Sequence, residues 1–448
     1  MSNNWLKMTA CNLGRGIGAG QIDPVELTDC YLDAMEAHPM TPRIYASFTP
    51  DRARAEASAA STRAKAGQRL GVLDGVPMSW KDLFDTAGTA TEAGSALLKG
   101  RVPGQDAEVV ANATHRGAVC LGKTHMSELA FSGLGLNPVT ATPPCVNDLE
   151  AVSGGSSSGA ATSVAFDLAP VGIGSDTGGS VRIPSAWNDL VGLKTTHGRV
   201  SVKGVVPLCD TFDTVGPLCR SVEDAAETLA MLEGSKAADL RGSRLQGMRF
   251  AILKTAALDD VREAPAAGFK AAVDALLQAG AQITEIELPE VNDALDLSAV
   301  LFATKAYATW KDTIEAAPDL MYPEILERFR GGAGFSGTDY IQAWDQLNKL
   351  RAAYHAATRA FDAVLLPTCP ILPPNQKRLL TDSEYYVTEN LLALRNTRIG
   401  NLMGLCALTL PTGIPSTGIM LQSAPGREER LLRVGHAAEQ ALQGQRAQ

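Results

Sequence analysis

Apolar residues recur at helical spacing in some segments of the chain and form short continuous runs in others. Helical spacing predicts a helix over 24–35, which begins at Pro24 and has Asp23 in position to cap its first turn. Short apolar runs predict buried strands, as at 118–121 and 249–253. Because strands and helices alternate along the chain, the sequence predicts an α/β fold with a largely internal sheet.

The chain has 448 residues, of which 45% are hydrophobic, so it can bury a large core. Length alone suggests two or three domains, but large α/β enzymes often form one body. We therefore expect a single domain over 1–448. It would consist of a helical segment at 1–70, a central region at 71–240 and a mostly helical region at 290–350.

Charge and composition disfavour several classes of protein. The net charge is −9 and only 5% of the residues are aromatic, so we expect neither nucleic-acid binding nor attraction to an anionic membrane. No apolar stretch is long enough to span a bilayer, and no signal peptide is apparent. The eight cysteines form no C-x-x-C pair, which predicts reduced thiols and a cytoplasmic location.

Residues 117–124 match the phosphate-loop pattern G-x-x-x-x-G-K-[ST]. A phosphate loop must be a flexible turn that follows a strand, so that its amides can face phosphates. Here the four middle residues are apolar and strand-like, and no strand precedes them. We interpret the match as a connection from a helix into a strand.

Residues 155–159 match G-x-S-x-G, the nucleophile elbow, which needs a strand just before it and a partner histidine later in the chain. The preceding residues 143–150 look like a polar loop instead. His355 and His436 fall on predicted helices with no evident site around them. The elbow is therefore a weak interpretation, and no cluster of histidines and acids demands a metal.

A third pattern is longer and more specific. It consists of Gly-Val-Pro at 75–77 followed by Lys81, a glycine- and serine-rich loop at 153–159, and a loop at 174–184 that contains Gly-Gly-Ser. Each part alone has an ordinary explanation as a surface lysine, a linker or a turn. Their joint order and spacing are improbable as accident.

Together these segments resemble the amidase signature family. The resemblance extends from the helix start at 23–27 to the closing helix at 431–434 and is densest from 75 to 194. It implies a single amidase domain with a large mixed central β-sheet flanked by helices on both faces, a catalytic core at 71–240 and a variable helical insertion at 290–350. The chain departs from the family at Asn188 and Asp189, where Cys-Gly is usual, and at 152–155, where Pro-Gly-Gly-Ser is usual.

The resemblance carries over three catalytic roles: Lys81 as the base, Ser156 as a bridging serine preceded by a cis peptide bond, and Ser180 as the nucleophile. An exposed lysine is protonated at neutral pH, so Lys81 must be buried to accept a proton. Its apolar neighbours favour burial, although Asp82 and Asp85 could oppose the loss of its charge. The oxyanion of the tetrahedral intermediate would be met by the backbone amides of Thr177, Gly178, Gly179 and Ser180.

Asp176 and Arg182 flank this loop, and we expect them to pair and hold its shape. The substrate pocket would be lined by 131–136 and by a late loop at 396–401, with Phe131 and Arg398 as candidate substrate-binding residues. Arg398 lies in a segment similar to the Asn-Ser-Arg of allophanate hydrolases, where an arginine meets a carboxylate. A solvated surface position is the alternative for Arg398.

The sequence thus predicts an amidase that hydrolyses the C–N bond of a small amide, without a cofactor or metal. One alternative is the glutaminase subunit of a tRNA-dependent amidotransferase, which would bring partner subunits and tRNA. A second alternative is a non-catalytic scaffold of the same fold. The amide itself is not identified, and a homodimer stays open.

Overall fold

The centre of the protein is a single 11-stranded mixed sheet, seen in a computed structural model that describes residues 2–446. The strands of the described residues are β1 (Tyr45–Phe48), β2 (Pro77–Lys81), β3 (Val119–Thr124), β4 (Pro144–Cys145), β5 (Asp148–Val152), β6 (Val171–Asp176), β7 (Val191–Lys194), β8 (Thr214–Cys219), β9 (Arg249–Leu253), β10 (Gln282–Ile286), β11 (Ala363–Pro367), β12 (Cys406–Pro411) and β13 (Gly418–Ser423).

The sheet has the strand order β1-β3-β2-β6-β8-β7-β12-β13-β11-β9-β10. Strand β2 runs parallel to β3 and β6, whereas β8 is antiparallel to β6 and to β7. Strand β9 runs parallel to both β10 and β11. The remaining strands, β4 and β5, form a separate hairpin.

The α-helices of the described residues are α1 (Ala10–Gly18), α2 (Pro24–Ala37), α3 (Thr41–Ile44), α4 (Pro50–Lys65), α5 (Glu108–His115), α6 (Ser158–Ala165), α7 (Arg182–Trp187), α8 (Val222–Glu233), α9 (Glu263–Gln278), α10 (Glu290–Asp296), α11 (Thr304–Ala316), α12 (Pro323–Arg330), α13 (Gly337–Thr358), α14 (Gln376–Thr381), α15 (Ser383–Leu402) and α16 (Glu428–Arg446). Short 3₁₀ helices occupy Ser2–Lys7, Ala96–Leu98, Glu128–Ala130, Pro318–Leu320 and Gly331–Gly334, and a π-helix occupies Ala299–Ala303.

Helices cover both faces of the sheet. Successive residues of a strand point to opposite faces. In β12, Leu408 packs against α16, where a Cβ on Gly435 would lie 2.1 Å from the leucine. The next residue, Thr409, lies beside Gly418, which faces Ala186 of α7. The predicted α/β fold with a mixed central sheet between helices is therefore confirmed.

Several local predictions are also confirmed. Helix α2 begins at Pro24, and the side chain of Asp23 accepts a hydrogen bond from the Val25 amide. Residues 290–350, predicted to be mostly helical, contain α10, α11, α12 and the first part of α13. No helix within residues 2–446 is long and apolar enough to cross a membrane.

The phosphate-loop match is part of β3, as the sequence interpretation requires. Its lysine, Lys123, is fully buried and donates to the Oδ1 of Asp82 at 3.2 Å and to the Oγ1 of Thr91 at 2.8 Å. A strand whose lysine is neutralised in this way cannot cradle phosphates.

Two assignments of loops were wrong. Residues 143–150 include β4 and most of β5, because the polar segment forms a hairpin beside α14 rather than a loop. Residues 396–401 belong to α15 and not to a loop. Both differences bear on the site, since these elements flank the loops that carry the candidate residues.

Candidate active site

Lys81 is the last residue of β2 and is completely buried. Its Nζ lies 2.7 Å from the Oγ of Ser156 and 2.8 Å from the Oγ of Ser175. Burial lowers the pKa of Lys81 to about 7, and the nearby carboxylates of Asp176 and Asp213 only partly oppose this shift. An amine with this pKa exists substantially in its neutral form at neutral pH, so it can accept a proton.

The acids that oppose deprotonation of Lys81 are not those expected from the sequence. Asp82 forms its ion pair with Lys123, and Asp85 forms one with Arg101 at 2.6 Å. The prediction that Asp82 and Asp85 act on Lys81 is therefore wrong. Both acids follow the end of β2, where the chain turns and brings their carboxylates to cations other than Lys81.

Ser156 lies in the loop between β5 and α6, and the Gly155–Ser156 peptide bond is cis. Glycine is required at 155 because a Cβ there would lie 2.5 Å from both the Gly135 nitrogen and the Ser127 Oγ. The amide of Ser157 donates to the carbonyl oxygen of Ser180 at 3.2 Å. The two serine-bearing loops are thus joined directly through their backbones.

Ser180 lies in the loop between β6 and α7. Gly179 has a φ of 140°, and a Cβ there would lie 2.1 Å from the Oγ1 of Thr397. The Gly179 amide donates to the Oδ1 of Asp176 at 2.9 Å. Within residues 2–446, the amides of Thr177, Gly178 and Ser180 donate to no protein acceptor.

The predicted pair of Asp176 and Arg182 is present and fully buried. The Nη2 of Arg182 lies 2.9 Å from the Oδ1 of Asp176, and its Nη1 donates to the carbonyl oxygen of Thr397 at 2.6 Å. Asn401 donates to the same carboxylate at 2.9 Å. Burial alone would raise the pKa of Asp176, but the charge of Arg182 and these hydrogen bonds hold it well below its ordinary value.

A cavity of about 780 Å³ opens beside the Ser180 loop. Thr177, Gly178 and Ser180 line it, whereas Lys81 and Ser156 lie behind the loop with no exposed surface. Of these three residues, Ser180 is therefore the one that lines the cavity. Further lining residues are Phe131, Ser132, Phe302, Arg328, Tyr386, Asn390, Leu394 and Arg398.

Phe131 and Arg398, the candidate substrate-binding residues, both line the cavity, so Arg398 is not a solvated surface arginine. Of residues 396–401, Arg398 is the one that lines the cavity. Asn396 is fully buried and donates to the carbonyl oxygens of Ala257 and Pro367. Thr397 donates from its Oγ1 to the carbonyl oxygen of Gly178 at 2.8 Å, so α15 holds the Ser180 loop in place.

Sequence reasoning missed Ser175 and Arg328. Ser175 precedes Asp176 in β6, and its position one strand from Lys81 carries no local signal. Arg328 lies on α12, where its guanidinium lies 4.5 Å from the ring centroid of Phe131. Among the described residues, no group of three histidine, cysteine, aspartate or glutamate side chains is placed to hold a metal ion.

Comparisons with known proteins identify the family of this chain. The family model named Amidase matches residues 26–432. The chain is 36% identical to 2-amino-5-chloromuconic acid deaminase of Comamonas testosteroni, over 98% of each protein. It is 32% identical to a subunit of the glutamyl-tRNA(Gln) amidotransferase of Anaeromyxobacter dehalogenans (strain 2CP-C), over 96% of this chain and 95% of the relative.

Its structure is also similar to that of the native peptide amidase of Stenotrophomonas maltophilia. The TM-score is 0.80 at 26% identity, and the superposition covers 98% of this chain and 97% of the other. The family match spans most of the chain, including both serine-bearing loops and Lys81. The chain therefore belongs to the amidase signature family of amide-hydrolysing enzymes.

Proposed function

We propose that this protein hydrolyses a carboxylic amide through an acyl-enzyme on Ser180, with Ser156 and Lys81 as the proton relay. The observation that carries the proposal is the 2.7 Å contact between the buried Nζ of Lys81 and the Oγ of Ser156, behind the loop that presents Ser180 to the cavity. A serine hydroxyl is a weak nucleophile until a base removes its proton.

The steps follow from this order of groups. Neutral Lys81 accepts the proton of Ser156, and Ser156 takes the proton of Ser180 as the Ser180 Oγ attacks the amide carbonyl carbon. The intermediate collapses, its C–N bond breaks, and the proton returns through Ser156 to the leaving nitrogen. Water then attacks the acyl-enzyme by the same relay and releases the carboxylate.

The negative oxygen of each intermediate needs donors that are already in position. We assign this role to the amides of Thr177, Gly178 and Ser180, because they are uncommitted among residues 2–446 and line or adjoin the cavity. The Gly179 amide, for which the family resemblance implied the same role, is engaged by Asp176. In this proposal Gly179 shapes the loop, and Asp176 and Arg182 hold it.

The direct test is a panel of aliphatic, aryl and carboxylated amides, assayed for ammonia release with the purified protein and with its Ser180→Ala variant. 2-Amino-5-chloromuconic acid, an amino acid and not an amide, is assayed separately, because a relative is named as its deaminase. We expect release from at least one amide that depends on Ser180. Release that persists in the variant would refute the proposed nucleophile.

A second candidate function is the glutaminase subunit of a tRNA-dependent amidotransferase. It is favoured by the 32% identity to a glutamyl-tRNA(Gln) amidotransferase subunit over nearly the whole chain. The departures at Asn188, Asp189 and 152–155 favour the free-standing enzyme. Glutamine hydrolysis that appears only after the partner subunits are added would reverse this preference.

A non-catalytic scaffold is the third candidate, and a fold kept only for binding has no need of a buried neutral lysine beside two hydroxyls. For location we propose the cytoplasm, because all eight cysteines are free thiols. A small-molecule amide is the proposed partner, and size-exclusion chromatography with light scattering distinguishes a homodimer from a monomer.

A further inference from the structure

Two arginines from distant parts of the chain line the same cavity as Ser180. Arg328 comes from α12 in the helical region at 290–350, and Arg398 comes from α15. They are close enough for the charge of Arg328 to lower the pKa of Arg398, which burial, the larger cause, brings to about 9. Burial also lowers the pKa of Arg328. A guanidinium keeps its positive charge in proteins at neutral pH.

Neither guanidinium has an acidic partner among the described residues. The guanidinium of Arg328 lies over the ring of Phe131, and the side chain of Arg398 makes no hydrogen bond or ion pair within the described residues. The acids that line the cavity lie elsewhere: Glu327 pairs with Arg330 at 3.5 Å, Glu324 interacts with the hydroxyl of Tyr322, and Asp296 is an exposed rim residue.

Two like charges that line one partly buried cavity are unfavourable unless an anion compensates them. A guanidinium presents a fork of N–H donors that matches a carboxylate in two parallel hydrogen bonds. The ring of Phe131, which also packs edge-on against Phe329 at 4.7 Å, fixes Arg328 without neutralising it. The two arginines therefore give the cavity a positive charge that no acid among the described residues neutralises.

We propose that Arg328 and Arg398 form a carboxylate-binding subsite, so that the amide presented to Ser180 belongs to a molecule that also carries a free carboxylate. This inference rests on the proposed function, since it concerns the substrate of the same site. Helix α15 links the subsite to the chemistry. Thr397 holds the Gly178 carbonyl oxygen, and the next residue is Arg398.

The test compares ammonia release from the monoamides of succinate, glutarate and adipate with release from butanamide, pentanamide and hexanamide, their neutral counterparts. We expect the wild type to prefer one carboxylated monoamide. Arg328→Gln and Arg398→Gln should each lower kcat/KM for that compound by roughly 10- to 100-fold, the value of a charge-assisted hydrogen bond, and barely change the neutral amide.

Arg330→Gln is the matched control, because Arg330 lies two residues further along α12 and pairs with Glu315. This variant should leave kcat/KM unchanged for both the carboxylated monoamide and the neutral amide. Equal rates for the charged and neutral amides in the wild type, or equal losses on both in the arginine variants, would overturn the subsite.

A binding measurement separates this inference from the proposed function. Titration calorimetry of succinate, glutarate and adipate into Ser180→Ala should show that at least one dicarboxylate binds, and that its binding weakens roughly 10-fold or more in Ser180→Ala/Arg398→Gln. If no amide is hydrolysed but this binding is found, the subsite stands and the proposed reaction fails. If amides are hydrolysed but the dicarboxylate does not bind through Arg398, the reaction stands and the subsite fails.

Discussion

The Nζ of Lys81 lies 2.7 Å from the Oγ of Ser156, and both side chains are completely shielded from solvent. A second hydroxyl, that of Ser175, lies 2.8 Å from the same nitrogen. A neutral amine has two N–H donors and one lone pair, so it can donate to Ser175 while its lone pair accepts from Ser156. Ser175 thereby orients the base, which makes it a positioning residue in the proposed relay.

Replacement of the nucleophile tests the centre of the scheme. Ser180→Ala should lower amide hydrolysis by roughly 10⁴-fold or more, because the hydroxyl that forms the covalent intermediate is lost. Mass spectrometry after treatment with a fluorophosphonate should place the adduct on Ser180 of the wild type. Ser158→Ala is the matched control and should keep the label. An adduct on Ser156 or Ser157 would contradict the assignment.

The state of Lys81 predicts the pH dependence of activity. Since the protonated amine cannot accept a proton, kcat/KM should rise with pH through a single ionisation near 7, where burial has brought the pKa of Lys81. Lys81→Ala should lose this ionisation together with roughly 10³-fold or more of the activity. A wild-type profile that is flat from pH 5 to 9 would be incompatible with a lysine base.

The same ionisation predicts the pH dependence of stability. The pKa of Lys81 is about 7 in the folded protein, against an ordinary value of 10.5, so the unfolded chain binds one more proton between these values. The free energy of unfolding should therefore rise with pH across this window and fall as the pH drops towards 7. The full contribution is about 5 kcal/mol.

Thermal denaturation of the wild type and of Lys81→Met, carried out at pH 7 and at pH 10, measures this contribution. The stability of the wild type relative to Lys81→Met should be greater at pH 10 than at pH 7. A difference that does not change with pH would show that Lys81 titrates normally in the folded protein.

The Ser180 loop offers a matched pair of glycines. Gly179→Ala should lower kcat by roughly 100-fold or more, because its φ of 140° and the 2.1 Å approach to Thr397 displace the adjoining nucleophile and donors. Gly178→Ala should be tolerated, since its nearest neighbour, Leu394, would lie 3.6 Å from the new Cβ. Steady-state kinetics on the best amide of the panel compares the two variants. Equal effects would refute this account of the loop.

The buried pair behind the loop should be important for folding. Arg182→Met leaves the Asp176 carboxylate buried without its cation and should cost about 3–5 kcal/mol of unfolding free energy, measured by urea denaturation. Arg241→Met removes an ion pair with Asp239 that lies on the surface, and should have no measurable effect. Similar stabilities for the two variants would contradict the structural role of Arg182.

The sequence was sufficient for the features that depend on local pattern. The start of α2, the strand that ends at Lys81 and the pairing of Asp176 with Arg182 all arise from residues close together in the chain. The contacts that anchor the Ser180 loop, by contrast, join residues that are far apart in the chain. The hydrogen bond from Arg182 to the Thr397 carbonyl spans 215 positions, and no periodicity reports such a contact.

Helix α15 was missed for a physical reason. A surface helix shows a stripe of apolar residues, but α15 buries polar ones, including Asn390, Asn396, Thr397 and Asn401. Its polar residues hold backbone groups of neighbouring loops, so the segment has no amphipathic pattern and resembles a loop in sequence. Arg328 was missed because its role depends on the packing of α12 against the distant Phe131.

The position of α12 has an evolutionary consequence. The groups proposed to break the bond, from Lys81 to Ser180, belong to the first half of the chain, whereas Arg328 is carried by a later helical region that supplies no strand to the sheet. Selectivity can therefore diverge by exchange of that region while the reactive machinery is inherited intact. A chimera that takes residues 299–335 from a relative would acquire a new substrate preference, while the residues proposed to cleave the amide bond stay the same.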